Sequence, residues 1–446
     1  MITTDFRSIV TEIPHPKAME MVQRLAAVES QSMHGQLPVV WDKAEGSSVY
    51  DPWGNRWIDF TSTIFVANAG HAHAGIVEAI VNTAQKPLLH AYNYPTTERL
   101  AYLEELIRVT PSYLEKAFLV SAGTEAIEVA IKLMRMNAMA AGKRRAVIVS
   151  FEGNWHGRTT GAQQLSSNID QRAWIGHEDP GVLRLPFPYP WIPEVTTDPG
   201  KFFRDSLQLE LASRGWTLEN DIAGFMLETY QGWGAVFYPP EFVKAVEVEA
   251  KANGCLLAFD EMQSGFARTG ALFGYQHYSV EPDLVCCGKG ASSSVPLAFV
   301  LGPSYLLDLP AVGSMSSTHS ANPISCAAGL ANLKAIESEG LIERSRKLGL
   351  QFHAELQSIA QGSVAISSIQ GHGLVAAVLT AAVGETDAAT VASKISWECM
   401  RRGLLVVHTG RESVKLAPPL TIDVAAMEEG LNVLREVVRD VENENK

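Results

Sequence analysis

Two short segments carry the residues best suited to chemistry. In the first, the apolar run Cys255–Phe259 ends on Asp260 and continues as Glu261-Met262-Gln263-Ser264-Gly265-Phe266-Ala267-Arg268-Thr269-Gly270. In the second, Asp283-Leu284-Val285-Cys286-Cys287-Gly288-Lys289-Gly290 repeats the design with a lysine at the end of the run. An acid at the C-terminal end of a buried strand stands where open α/β sheets bind ligands. A lysine that follows an apolar strand and sits between glycines departs from the usual solvated lysine. Burial lowers an amine's pKa and frees its lone pair, which Schiff-base formation requires. Asp260 and Lys289 projecting from strand ends therefore suit a pyridine aldehyde cofactor, bound through the lysine. The acid would keep the ring nitrogen protonated so that the ring accepts electrons. Either segment taken alone fits an ordinary ion pair at a sheet edge equally well.

The elements that must position these residues are legible around them. Continuous apolar runs at Ala117–Val120, Ala146–Val149, Ile222–Leu227, Cys255–Phe259, Leu284–Cys287 and Ala298–Leu301 predict strands covered on both faces, as in a parallel sheet. Between them, Thr124–Ala141 places Ile127, Ala130, Ile131 and Met134 on one helix face with Gly142 as a stop. Pro239-Pro240 precede a helix over Glu241–Asn253 that Gly254 closes. Strands alternating with helices mean an α/β domain. Near the N-terminus, Ser48–Tyr50 and Arg56–Ile58 flank the turn Asp51-Pro52-Trp53-Gly54-Asn55 and read as a hairpin. The last hundred-odd residues change pattern. A helix with Leu341, Ile342 and Leu348 leads to short strands near Gly373–Leu379 and Gly403–Val407, then a charged helix over Met427–Val441. This predicts a smaller α+β domain.

A phosphate site is also foreshadowed. Phe118-Leu119-Val120 runs into Ser121-Ala122-Gly123-Thr124-Glu125-Ala126, a strand, a glycine turn and a helix start. The unpaired N–H groups and positive dipole end of a helix N-terminus suit a phosphate. Thr124 is equally readable as a plain N-cap.

Together these motifs resemble those of the class III aminotransferases (ornithine, GABA and acetylornithine type), fold-type-I enzymes of pyridoxal 5′-phosphate, from about Val40 to about Leu420. The resemblance implies a large domain with a mostly parallel seven-stranded sheet and a smaller α+β domain. It divides the chain into an N-terminal segment packing with the small domain (1–75), a large cofactor-binding domain (76–330) and a small domain (331–446). It assigns Asp260 to the pyridine nitrogen and Gln263 to the ring's phenolic oxygen. Lys289, 29 residues after Asp260, becomes the Schiff-base lysine. Gly123 and Thr124 would hold the phosphate, and Trp155, in Asn154-Trp155-His156-Gly157-Arg158-Thr159, would stack on the ring. His156 is expected to pack or hydrogen-bond. Thr318, in Ser317-Thr318-His319-Ser320-Ala321-Asn322-Pro323, would reach the phosphate of a neighbouring subunit, so the resemblance implies a homodimer with active sites at its interface. Glu228 matches a strand-end glutamate that helps set substrate choice in relatives by pairing with an arginine or releasing it.

The chain also departs from the family. Many members carry serine where Ala122 stands, so one hydroxyl contact is lost. Lys415, in Val414-Lys415-Leu416-Ala417-Pro418-Pro419-Leu420, replaces an arginine that grips substrate carboxylates through a two-pronged contact. An ammonium is a point charge without that fork. Trp233 stands where many members have glutamate. Tyr92, Tyr94, Ile64 and Phe65 fall in stretches that line the substrate entrance in relatives.

Composition bounds the rest. Hydrophobic residues make up 46% and charged ones 19% of 446 residues, as in an ordinary globular protein. The net charge of −13 argues against nucleic-acid binding, which needs clustered Lys and Arg. Five cysteines with no C-x-x-C pair read as reduced and buried. No apolar run approaches the ~18 residues of a membrane span, and Met1–His15 has no secretory core, so a cytoplasmic protein is expected. No G-x-G-x-x-G follows a strand, which argues against a dinucleotide enzyme. The expected reaction is ping-pong transfer of an amino group from a primary amine (an amino sugar, a polyamine or an ω-amino compound) to a keto acceptor. Epimerases, racemases and aminomutases share the scaffold and stand as the alternative. A silent binding protein is a remote one, because Lys289, Asp260 and Gln263 are all kept.

Overall fold

The computed structural model describes residues 1–444 and centres on one mixed sheet. Its strands, in chain order, are β1 (Lys116–Val120), β2 (Val147–Phe151), β3 (Val182–Leu185), β4 (Ile222–Glu228), β5 (Leu256–Asp260), β6 (Leu284–Cys287) and β7 (Ala298–Gly302), and they lie side by side as β1-β7-β6-β5-β4-β2-β3. All neighbours run parallel except β7, which is antiparallel to both β6 and β1. Strands β2, β4, β5, β6 and β7 are buried along their whole length, which explains their unbroken apolar runs. The edge strand β3 escapes such a reading because Arg184 interrupts it and its exposure alternates.

Helix α1 (Gly123–Ala140) packs its Ile127, Ala130, Ile131 and Met134 stripe on one face of this sheet. Helix α2 (Pro240–Ala252) covers β4 and β5 from the other side. Because β1, β2, β4, β5 and β6 share one direction, their C-terminal ends meet along one edge. Ser121–Thr124, Asn154–His156, Glu228, Asp260 and Lys289 all emerge there. The sheet topology alone thus assembles the chemistry of five separate segments.

Three smaller sheets accompany the large one, among them the two-stranded pairing of Tyr230–Gln231 with Val236–Phe237. The expected N-terminal hairpin forms between Ser48–Tyr50 and Arg56–Asp59 and is extended by Lys43–Glu45 on one side and Ser8–Ile9 on the other. A second sheet is antiparallel throughout, in the order Ile366–His372, Val375–Thr380, Ser413–Leu416, Val407–His408. The strand expected near Gly403–Val407 is in fact two. Leu404–Leu405 pairs in parallel with Arg56–Asp59, while Val407–His408 pairs with Ser413–Leu416. That switch ties the chain's last third to its N-terminal sheet.

Helix α3 (Leu341–Ala360) crosses the second sheet at Gly349, where a Cβ would lie 2.6 Å from both the Cα and the carbonyl oxygen of Gly373. Alanine in mid-helix ordinarily gains about 1 kcal/mol over glycine. Here the clash is with backbone, so Gly349→Ala is expected to destabilise by about 2 kcal/mol. Denaturant unfolding checks this; an unchanged or raised midpoint would contradict the close crossing.

Candidate active site

At the C-terminal edge of the sheet lies a cavity of about 210 Å³ whose lining includes Gly123, Thr124, Trp155, Glu228, Asp260, Gln263 and Lys289. A larger, more open cleft of about 640 Å³ lies elsewhere, between His73–Lys86, Thr97–Ala101 and Ala327–Glu339. Its ionic groups are engaged in surface pairs such as Lys86 with Glu98 and His73 with Glu339. The smaller cavity holds the perturbed groups, which makes it the site.

Asp260 ends β5 in register with Glu228 on β4 and Cys286 on β6. Its Oδ2 accepts from His156 Nδ1 at 2.9 Å, and its Oδ1 from the Met262 amide at 3.0 Å. The far side of His156 is met by Asn154 Nδ2 at 3.3 Å, which leaves Nδ1 to carry the proton and donate to the acid. His156 is therefore a hydrogen-bonding support, as its motif led one to expect.

Lys289 follows β6 with φ 45, a left-handed conformation that a non-glycine residue adopts only where its surroundings enforce it. Its amine makes no hydrogen bond or ion pair with the described residues. Burial pushes its pKa down, against the opposing pull of Asp260 and Glu228. A lowered pKa makes an amine facing the cavity a readier nucleophile.

Glu228 is buried, and its Oε2 accepts from the Trp155 amide at 3.1 Å and the Gly232 amide at 3.4 Å. Burial, followed by the neighbouring charge of Asp260, pushes its pKa up to about 8. The folded cofactor-free protein thus holds a proton between pH 4.5 and about 8 that the unfolded chain releases, so stability falls as pH rises through this window. Glu228→Gln is expected to flatten the fall in thermal midpoint from pH 5 to 8; an unaltered slope would contradict the assignment.

The glycine turn also serves the site. Glu125 Oε2 caps the amides of Ser121 and Ala122, and Ala122 takes the N-cap position. Thr124 is therefore inside the helix rather than its cap. Its hydroxyl meets Thr159 Oγ1 at 2.7 Å. A Cβ on Gly123 would stand 2.7 Å from Met262 Sδ, and one on Gly288 2.6 Å from the same atom. Glycine is needed at both positions for the turn before α1 and the turn before Lys289 to approach.

The residues fit pyridoxal phosphate. An acid fixed by two donors, an unpaired amine, an indole beside them and a helix N-terminus form the set that an aromatic aldehyde bearing a phosphate requires.

Not every expected residue lines this cavity. Lys415 closes its side, donating to Gly232 O at 2.7 Å and to Gln263 Oε1 at 3.0 Å, with Nζ 4.6 Å from the centre of the Phe65 ring. Burial, then the charge of Lys289, pushes its pKa down to about 7. Trp233 packs in the apolar cluster that includes Phe65 and is capped by the Arg411 guanidinium at 4.2 Å. Tyr92 and Thr318 lie on an exposed surface instead, where His90 Nε2 meets Thr318 O at 2.7 Å. The contact of Lys415 with Gln263 has no local signature, since no short-range pattern links positions so far apart. Met262, Ser264 and Tyr230, which the motifs do not single out, also line the cavity.

Residues 29–438 match the family model described as aminotransferase class-III. A 4-aminobutyrate aminotransferase of Mycobacterium tuberculosis is 31% identical over 98% of each chain. An alanine/serine racemase of Pyrococcus horikoshii is 28% identical over 99% of this chain and 94% of its own. The crystal structure of ornithine aminotransferase from Toxoplasma gondii superposes with a TM-score of 0.84 at 25% identity, covering 96% of both chains. The matched span contains every residue of the cavity, and the chain belongs to the class III aminotransferases, enzymes that work with pyridoxal phosphate.

Proposed function

We propose that this aminotransferase takes its amino group from an amine without a carboxylate, a polyamine or an amino sugar. The observation that carries this reading is the state of Lys415. Its amine is spent on Gly232 O and Gln263 Oε1, so a two-pronged carboxylate grip is missing from that wall. Trp233 adds apolar surface to the same cluster, where a charged partner would favour a zwitterion.

When bound, pyridoxal phosphate supplies the carbonyl that captures the amine and the ring that accepts electron density from the substrate carbon. Lys289 would hold the cofactor and, once released, take the proton from the substrate carbon and return it on the other side of the transfer. Asp260, fixed by the His156 N–H and the Met262 amide, would hold a proton on the ring nitrogen. Gly123 and Thr124 would receive the phosphate at the start of α1, and Trp155 and Gln263 would orient the ring. Glu228, protonated at neutral pH, avoids placing a second negative charge beside Asp260.

In the same reading two copies pair. Val77, Val81, Leu88, Leu89, Tyr94 and Leu100 form an exposed apolar surface close in sequence to Tyr92, and Thr318 stands beside that segment, suited to reach a partner's phosphate. The chain works as segment 1–75, large domain 76–330 and small domain 331–446, with the Leu404–Leu405 pairing in support. All five cysteines are buried and free, which suits the reducing cytoplasm.

The test is a donor panel, following kcat/KM for polyamines, amino sugars, 4-aminobutyrate and ornithine. Preference by at least ~10-fold for donors lacking a carboxylate is expected, about 1.4 kcal/mol of discrimination. Preference for 4-aminobutyrate would overturn the substrate assignment. A second reading, inversion at the amine carbon, is favoured by the resemblance to the archaeal racemase. Turnover of one enantiomer into the other without a keto acceptor would establish it.

A further inference from the structure

Lys415, like Arg268, is a buried cation held by neutral acceptors. It is 6% exposed, yet no carboxylate of the described residues lies within ion-pair distance of it. Its two hydrogen bonds go to neutral oxygens, and beneath it lies the face of Phe65. The amine donates in both contacts. Its partner on Gln263 is therefore the amide oxygen, and that contact decides which way the amide faces. The amide nitrogen turns toward Gly232 and Glu228. A Cβ on Gly232 would stand 2.5 Å from Gln263 Nε2 and 2.9 Å from Glu228 Oε1, so glycine at 232 leaves room for this orientation.

The fold maintains this contact under strain. Ser62, Thr63, Ile64 and Phe65 all have positive φ, of 46, 49, 62 and 70, four left-handed residues in succession with no glycine among them. Each such residue costs about 1–2 kcal/mol relative to ordinary backbone. The turn persists because Asp59 accepts from the Thr61 and Ser62 amides at 2.7 and 3.0 Å, and Ser62 Oγ donates to Ala417 O at 2.6 Å. Ala417 is two residues beyond Lys415. The same ties that hold the strained turn thus bring the Phe65 ring beneath the Lys415 amine.

We propose that Lys415 is a positioning residue for Gln263: by donating to Oε1 it turns the Nε2–H group toward the phenolic oxygen of pyridoxal phosphate. This rests on the reading above in which the cofactor ring seats against Gln263. It gives Lys415 a task on the cofactor side of the wall, distinct from gripping a substrate carboxylate. The groups whose charges face it are Lys289 and Glu228, with Asp260 next to Glu228. Without the Nε2–H donor so turned, the negative charge of the phenolic oxygen is less well held, so removal of Lys415 raises the pH at which the lysine-bound cofactor loses its proton.

The experiment is a pH titration of the visible absorption band of the reconstituted protein between about pH 6 and pH 10. Lys415→Met is expected to raise the midpoint by about one unit, and Lys415→Arg to keep it within ~0.3 unit of the parent. In a Gln263→Leu background the Lys415→Met shift is expected to fall to less than about half, because its route is gone. Should Lys415→Met not fold, Lys415→Leu carries the same upward expectation. An unmoved midpoint in the neutral variant, or a full shift that survives loss of the Gln263 amide, overturns the proposal. A parent protein with no visible band at all refutes the seating on Lys289 itself and is recognised as that separate failure.

Discussion

Lys289→Ala is expected to abolish turnover of every amine donor, a fall on the order of 10⁴-fold or more in kcat, while leaving the protein folded. The same substitution should remove the visible band of the bound cofactor. Both expectations follow from one feature: the Lys289 amine faces the cavity and bonds to none of the described residues, so the fold does not depend on it. Burial of that amine is costly to the empty protein, as its lowered pKa records, and alanine removes the cost. The thermal midpoint of the cofactor-free variant should accordingly equal or exceed that of the parent. Residual turnover within about 10-fold of the parent would mean that another group performs the proton transfer.

The largest effect on stability is expected at Arg268. This side chain is fully buried and donates to Leu374 O at 2.9 Å, Pro418 O at 2.5 Å, Ser62 Oγ at 3.2 Å and Asn68 Oδ1 at 2.7 Å. Three segments far apart in sequence, around residues 62–68, 374 and 418, meet on one guanidinium. Burial pushes its pKa down to about 10, with the charge of Asp59 opposing, so it remains a cation at neutral pH. Arg268→Met preserves much of the volume but leaves four buried acceptors without a donor. A loss of about 3–5 kcal/mol is expected, read from urea unfolding of the cofactor-free protein. Cofactor affinity should fall as well, because Ser62 anchors the strained turn and Asn68 also donates to the carbonyls of Gly265 and Phe266 in the Asp260–Gly270 loop. A loss below about 1 kcal/mol would show that these acceptors find other partners.

How much of this was legible beforehand depended on whether the signal was local. The buried strands announced themselves through unbroken apolar runs, and Asp260 and Lys289 were readable because each ends such a run. The edge strand Val182–Leu185 was not, since Arg184 breaks its pattern. Thr124 looked like a cap because hydroxyl residues favour that place, yet Glu125 satisfies the leading amides and moves the cap to Ala122. Leu404–Leu405 and Val407–His408 read as one strand because nothing between them signals a break, and only tertiary pairing divides them. The contact of Lys415 with Gln263 and the left-handed turn before Phe65 belong to tertiary structure entirely. Thr63, Ile64 and Phe65 are β-branched or aromatic, types that local preference would never assign to positive φ.

The central claim is that Lys289 and Asp260 operate an amino-group transfer on pyridoxal phosphate, and a half-reaction tests it most directly. The reconstituted protein is mixed with an excess of one reactive donor and no keto acceptor, and the cofactor spectrum and the donor's products are followed together. The account predicts complete conversion of the bound cofactor to pyridoxamine phosphate, with one carbonyl product formed per site and then a halt. A spectrum that returns to its starting form while the donor accumulates as its mirror image would contradict it and establish inversion instead.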